Sequence, residues 1–166
     1  MQRPTLLATL ALSFALTACG GGGSDDPREL ISAGNKALGG GDYAAALVDL
    51  EKAAGAMEAS DPLYLEVQKG ILRAKAGSAP KDAIAMLTND TANLGDALDE
   101  SLYSSAAVDM STAGYFDEAI EVVKLATEKF GQTELMKKQV DVIKKLAASA
   151  GEADVASALA GLGYVD

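Results

Sequence analysis

Apolar residues recur every three to four positions from Arg28 almost to the end of the chain. This spacing places apolar side chains on one side of a helix, and no stretch shows the sustained two-residue alternation of a half-buried strand. Glycine or proline interrupts the pattern at regular intervals and divides it into short helices. The predicted helices span residues 28–39, 43–58, 62–76, 80–89, 97–112, 116–130, 133–149 and 152–161. The pattern therefore predicts an all-α fold.

A seven-residue segment recurs along this pattern. The sequence Gly-Asp-Tyr-Ala-Ala-Ala-Leu at 41–47 returns as Gly-Tyr-Phe-Asp-Glu-Ala-Ile at 114–120, with a degenerate copy at 78–84. The anchoring alanines of the three segments, spaced by 37 and 36 residues, are Ala46, Ala83 and Ala119. Helix pairs with this segment resemble tetratricopeptide repeats, whose unit has about 34 residues. The additional residues are expected in loops.

The resemblance implies an α-α superhelix of about three helix hairpins over residues 28–131, followed by C-terminal capping helices over 132–166. The alternative is an irregular alanine-rich bundle without superhelical curvature. In the predicted cap, Glu134 and Lys138 stand four residues apart, as do Asp141 and Lys145, a spacing that favours ion pairs on a solvated helix face. Gly131 and Gly151 follow apolar stretches, where a left-handed residue is expected to end the helix.

In proteins that this repeat resembles, the first helix of each unit lines a concave groove that receives a peptide or a helix. The resemblance implies groove positions in all three units: Arg28, Ile31, Asn35 and Leu38, then Leu65, Gln68, Leu72 and Lys75, then Ser101, Ser104, Val108 and Ser111. These side chains are a mixture of aliphatic and small polar types. An extended or helical apolar segment of a partner protein is therefore the expected ligand.

The N-terminal segment has a different pattern. Arg3 is the only charged residue before Asp25, and residues 6–18 are apolar apart from three hydroxyl side chains. A spanning helix needs about 20 apolar residues, so this core is too short to cross a bilayer comfortably. It has the size of the apolar region of a signal peptide. An ordinary buried helix is the alternative.

The tetrapeptide Leu-Thr-Ala-Cys at 16–19, followed by four glycines, resembles the lipobox of bacterial lipoproteins. The resemblance implies a signal peptide over 1–18, a diacylglycerol and an acyl chain such as palmitate on Cys19, and a glycine-rich tether over 19–27. Two or more acyl chains anchor a protein stably. Enterobacterial lipoproteins kept at the inner membrane usually have aspartate where this chain has Gly20. The periplasmic face of an outer membrane is therefore favoured if the organism has one, and otherwise the outer face of the cytoplasmic membrane.

Charge limits the classes of partner. The chain has 24 acidic and 14 basic residues, which gives a formal charge of −10. Nucleic acid is not an expected partner of such an acidic chain, because phosphate contacts from Lys and Arg supply most of the affinity of a protein for nucleic acid. Adhesion to anionic lipid headgroups is disfavoured as well, because the chain has a negative net charge. Contact with the membrane is expected through the lipid anchor alone, and the expected partner is an envelope protein or peptide. The oligomeric state is left open.

The residues offer little for catalysis. The chain has no histidine, and Cys19 is its only cysteine, which removes Ser-His and Cys-His nucleophile pairs. Ser78 and Lys81 have the Ser-x-x-Lys spacing of penicillin-interacting enzymes, but about 0.7 such matches are expected by chance and no companion motif exists. We expect no catalytic residue, no metal site and no cofactor besides the lipid on Cys19. The predicted function is a non-catalytic, protein-binding adaptor in the bacterial envelope; the alternative is a structural, self-associating lipoprotein.

Overall fold

The computed structural model of the protein describes residues 25–89 and 93–164. Within these ranges the chain forms eight α-helices and no strand, so the predicted all-α class is confirmed. The helices are α1 (Pro27–Gly39), α2 (Tyr43–Gly55), α3 (Tyr64–Ser78), α4 (Pro80–Asn89), α5 (Glu100–Thr112), α6 (Phe116–Phe130), α7 (Glu134–Ala150) and α8 (Ala153–Gly161), with a 3₁₀ turn at Gly95–Ala97. The predicted bounds are wrong by at most three residues, at the end of α2 and the start of α5.

The helices are arranged as a row of pairs. The pairs are α1 with α2, α3 with α4, α5 with α6, and α7 with α8. The odd-numbered helices also pack on one another in order, α1 on α3, α3 on α5 and α5 on α7, and we call these four helices the first layer. We call the even-numbered helices the second layer; in it α4 packs on α6 and α6 on α8, and α2 lies against α1 and α3. Helices α7 and α8 thus continue the order of the preceding pairs.

The turns of the third and fourth pairs have the same backbone geometry. Gly114 and Gly151 have φ angles of 89° and 83°, a left-handed conformation that glycine adopts at no steric cost. In each turn the amide after the glycine donates to a carbonyl five residues earlier, Tyr115 to Met110 and Glu152 to Ala147, both at 2.9 Å. These bonds satisfy carbonyls left open at the helix end. The left-handed residue predicted at position 151 is confirmed. The same prediction for Gly131 is wrong, because its φ of 81° is combined with an extended ψ of −172°. The third and fourth pairs correspond with an offset of 37 residues.

Small side chains let the helices approach closely. A β-carbon at Gly34 in α1 would lie 2.6 Å from Cγ of Leu50 in α2, which is too close for non-bonded atoms. The three alanines of the recurring segment are fully buried. Buried apolar residues form two clusters, one made by α1, α2 and α3 and a larger one that extends from α3 to the end of the described chain.

The exposed side of α7 carries a different ion pair from the one predicted. Glu134 pairs with Lys137, whose Nζ lies 2.8 Å from Oε1 of the carboxylate, rather than with Lys138. Three-residue and four-residue spacings both bring side chains together on a helix, and the shorter spacing is used here. The solvated character expected for this side is observed, since Glu134, Lys137 and Lys138 are all exposed.

Candidate docking surface

The groove positions implied by the repeat resemblance do not share one exposed surface. Four are exposed: Arg28, Asn35, Leu65 and Ser101. Three are partly exposed: Ile31, Lys75 and Val108. Five are buried, and their assignment to the groove is corrected: Leu38, Gln68, Leu72, Ser104 and Ser111. The physical reason is that α1, α3, α5 and α7 pack side by side, so the flanks between them are covered.

Helix α3 shows how the register differs. Leu72 is 0% exposed and belongs to the larger core cluster. Lys69 follows the buried Gln68, and Arg73 follows Leu72. The side chains of Lys69 and Arg73 are 32% and 41% exposed. One residue turns the side chain by about 100° around a helix, so the buried and exposed flanks of α3 adjoin each other. Lys69 and Arg73 replace Gln68 and Leu72 as the residues available to a partner.

Helix α5 has a narrow exposed strip. Its members are Ser101, Ser105, Val108 and Thr112. All other residues from Leu102 to Ser111 are buried. The positions 37 residues later, on α7, are all exposed: Lys138, Val142, Lys145 and Ser149. We call the surface made by these two strips together with Leu65, Lys69 and Arg73 the open face.

A polar cluster fixes Arg73 at the open face. Its Nε donates to Oδ2 of Asp109 at 2.8 Å, and its Nη2 donates to Oδ1 at 3.1 Å. The hydroxyl of Tyr43 donates to the same Oδ1 at 3.3 Å. Asp109 is only 7% exposed, and two-point pairing of a guanidinium with a carboxylate defines orientation as well as distance. The cluster therefore joins α2, α3 and α5 and holds Arg73 in one position.

The protonation states of the cluster follow from its surroundings. Burial, followed by the negative charge of Asp109, raises the pKa of the Tyr43 hydroxyl above its ordinary value. The hydrogen bond to Asp109 is the main cause that raises the pKa of Arg73. At neutral pH Tyr43 is thus a neutral donor and Arg73 a cation. The ring of Tyr43 occupies the space where a β-carbon of Gly77 would stand, so a glycine in α3 makes room for the cluster.

The two layers differ in charge. Helices α1, α3, α5 and α7 together carry nine basic and six acidic residues, whereas α2, α4, α6 and α8 carry four basic and eight acidic residues. The open face includes four of the first-layer cations: Lys69, Arg73, Lys138 and Lys145. Its Lys69 pairs with Glu66, with Nζ 2.9 Å from Oε1. Arg73 is likewise paired with Asp109, and the exposed Asp141 lies between Lys138 and Lys145 on α7. In a chain with a formal charge of −10, the first layer thus has more basic than acidic residues and the second layer has the reverse.

Sequence reasoning predicted none of the cavities among the described residues, and two of them have contrasting linings. The larger, about 690 Å³, lies where α1 begins and α2 connects to α3, and its apolar wall includes Ile31, Met57 and Leu63. No motif marks that connection in the sequence. The smaller, about 340 Å³, has four carboxylates at the starts of α6 and α8: Asp117, Glu118, Glu152 and Asp154. Acidic side chains at a helix N-terminus are stabilised by its partial positive charge, which accounts for this cluster structurally.

Groups suited to chemistry are sparse in the described part of the chain. No group of three or more His, Cys, Asp or Glu residues there could hold a metal ion. The hydroxyl of Ser78 donates to the carbonyl of Ala74 at 2.7 Å, which is the ordinary local bond of a serine in a helix. Among residues 25–89 and 93–164, no helix is long and apolar enough to span a bilayer.

The fold defines an all-α protein built from successive helix pairs. Comparison of the chain with protein-family models, with curated proteins and with solved structures found no match. The tetratricopeptide and lipobox resemblances therefore stay predictions. Cys19, the signal peptide over 1–18 and most of the tether lie outside the described residues.

Proposed function

We propose that the protein is a lipid-anchored, non-catalytic adaptor of the bacterial envelope that binds another protein through its open face. The supporting observation is the open face itself, where exposed side chains of three adjacent first-layer helices adjoin each other and Arg73 is held in place by a buried carboxylate. A rigid, extended surface lowers the entropy lost when a partner segment binds. The hairpins act as a tetratricopeptide-like scaffold in this proposal.

The anchor is the second part of the proposal. Cys19 follows an apolar segment of signal-peptide size and precedes a glycine-rich stretch, the arrangement that resembles a lipobox. Lipid on Cys19 would hold the domain at the membrane, with the periplasmic face of an outer membrane favoured. The tether is short, because a glycine-rich segment of eight residues spans about 15 Å on average.

The anchor is tested by fractionation of cells that express the wild-type chain or Cys19→Ala. We expect the wild type in the membrane fraction and a mobility shift that requires Cys19. The variant should lack the shift and should leave the membrane fraction when washed with salt or carbonate. Identical mobility and identical fractionation of both chains would rule out the lipid anchor.

Docking is tested by affinity capture from detergent-solubilised envelopes. Val108→Trp places a large ring on the exposed strip of α5 without altering charge, whereas Leu72 is unsuitable for such a test because it is buried. The matched control is Val48→Trp on α2, where the native side chain is 67% exposed. We expect Val108→Trp to lose a specific protein that wild type and Val48→Trp retain. Equal recovery of every protein by all three chains would remove the open face as a docking site.

A further inference from the structure

The first layer, which carries the open face, has a positive net charge in an acidic molecule. The nine basic residues of the first layer are a majority of the 14 in the chain, while 18 of the 24 acidic residues lie outside that layer. Lys138 and Lys145 on α7 are exposed, and Lys69 and Arg73 on α3 are partly exposed. Since helix position decides which residues belong to this layer, the segregation becomes visible only in the folded chain.

Arg73 keeps binding capacity after it pairs with Asp109. A guanidinium has five N–H donors, and Nε and one donor of Nη2 are engaged with the carboxylate. The remaining donors belong to a side chain that is 41% exposed. A second carboxylate could therefore bind Arg73 without breaking the buried pair.

The same surface also has aliphatic positions. Val142 on α7 is 39% exposed and stands between Lys138 and Lys145 along one helix face. Leu65 at the start of α3 is 38% exposed, and Val108 lies on the strip of α5 between them. Cationic and aliphatic side chains are thus interleaved, so a partner must supply both anionic and apolar groups to match them.

We propose that the open face binds an acidic segment of a partner protein in which carboxylates alternate with aliphatic side chains. This inference rests on the proposed adaptor function and specifies the chemistry of its partner, in place of the largely apolar segment expected from sequence. The carboxylates contact Lys138, Lys145 and the free donors of Arg73, and the aliphatic groups contact Val108 and Val142. Anionic lipid is a weaker match, because the strongly acidic second layer and loops are repelled by an anionic membrane.

The test uses the full chain in zwitterionic nanodiscs, with empty nanodiscs as the blank. Fluorescence anisotropy compares two labelled peptides, one of alternating Glu and Leu and one of alternating Lys and Leu. The formal charge of −10 favours the basic peptide through non-specific attraction. A preference for the acidic peptide, weakening as salt is added, is therefore expected only if the local charge of the open face governs binding. Preference for the basic peptide, or no binding of the acidic one, overturns the inference.

Charge-reversal variants locate the site. Lys138→Glu combined with Lys145→Glu should weaken binding of the acidic peptide about tenfold or more, since lost attraction is added to new repulsion. The matched control is Lys81→Glu combined with Lys124→Glu, two exposed lysines of the second layer, and we expect it to change the affinity less than about twofold. Equal losses in both variants would mean that net charge alone controls binding. Tighter binding of the wild type to anionic vesicles than to the acidic peptide would assign the surface to lipid.

The outcomes separate this inference from the function on which it rests. If Val108→Trp abolishes capture from envelopes but the Lys138 and Lys145 reversal does not, the adaptor function stands and the acidic partner is wrong. If neither change affects capture, the adaptor function itself fails. Sedimentation velocity on the same samples identifies a third outcome, in which the acidic partner is a second copy; salt-sensitive oligomers that vanish in the reversal variant would replace the inference with self-association.

Discussion

The third and fourth helix pairs share a turn geometry but differ on the flank where a further helix would pack. In α5 this flank has Ser104, Ala107 and Ser111, all at most 2% exposed. Asp109, which pairs with Arg73 of α3, is on the opposite side of α5. Helix α7 packs on α5 as its next neighbour in the first layer. The positions 37 residues later, on α7, are Asp141, Lys144 and Ala148, which line an open cavity of about 320 Å³.

The difference shows how the same turn geometry is used both in the third pair, which has a neighbour on each side, and in the fourth pair, which is the last of the row. Small residues on α5 admit a neighbouring helix at close range. On α7, Asp141 is exposed at the corresponding flank, and Nζ of Lys144 donates to the carbonyl of Tyr164 at 3.1 Å. Terminal units of repeat proteins need such a polar outer face for solubility. The capping role of 132–166 stays a prediction, and on this flank the two pairs differ in their side chains rather than in their turn geometry.

The largest expected effect comes from exchanging residue types between these flanks. Ser104→Asp puts a carboxylate where the native side chain is 2% exposed, and we expect a loss of about 3 kcal/mol in the free energy of unfolding. The reciprocal change Asp141→Ser, at an exposed position, should stay within about 0.5 kcal/mol. Urea denaturation followed by circular dichroism measures both. Similar losses in the two variants would show that the end of the stack is covered.

The ion pairs of the two regions offer a second contrast. Asp109→Asn removes the charge that holds Arg73 and leaves a buried amide among donors, at an expected cost of about 2 kcal/mol. Glu134→Gln breaks the pair with Lys137; the side chain of Glu134 is 80% exposed and that of Lys137 is 50% exposed. Exposed pairs contribute little because water screens them, so the same denaturation midpoint as wild type is expected. A large shift for Glu134→Gln would contradict the distinction between interior and terminal pairs.

The sequence predicts the helices well, but it predicts poorly which side of each helix is buried by a neighbouring helix. Helix bounds follow from apolar spacing and from glycine and proline, which are local signals, and hence α1 to α8 lie close to their predicted positions. Whether Leu72 or Lys69 faces solvent depends on α5, which follows α3 by more than 20 residues. The pairing of Arg73 with Asp109 is equally non-local. A single acidic residue inside the otherwise small and apolar middle of α5 was the available signal for that cluster.

A third prediction concerns pH and tests the buried cluster of Tyr43, Arg73 and Asp109. The pKa of Tyr43 is raised chiefly by burial, so folding favours the protonated hydroxyl. Its contribution to stability is complete below the unfolded pKa of about 10 and is lost as the pH rises through the folded pKa. We expect the wild type to lose more stability than Tyr43→Phe between about pH 8 and pH 11. Parallel stability curves for the two chains across that range would show that Tyr43 does not titrate with unfolding.

The smallest expected difference is between the two turn glycines. Gly114→Ala and Gly151→Ala each force a β-carbon into a left-handed conformation, at a cost of about 1 kcal/mol. Nothing lies within 4 Å of a β-carbon at either position, so backbone strain is the only cost and the two losses should be equal. Gly55→Ala, in a helix and also in open space, is the control and should be neutral or slightly stabilising. Thermal unfolding of the three variants provides the measurement. If the two turn substitutions differ by much more than the experimental error, the terminal pair does not repeat the interior one, and the 37-residue offset between α5 and α7 loses its structural basis.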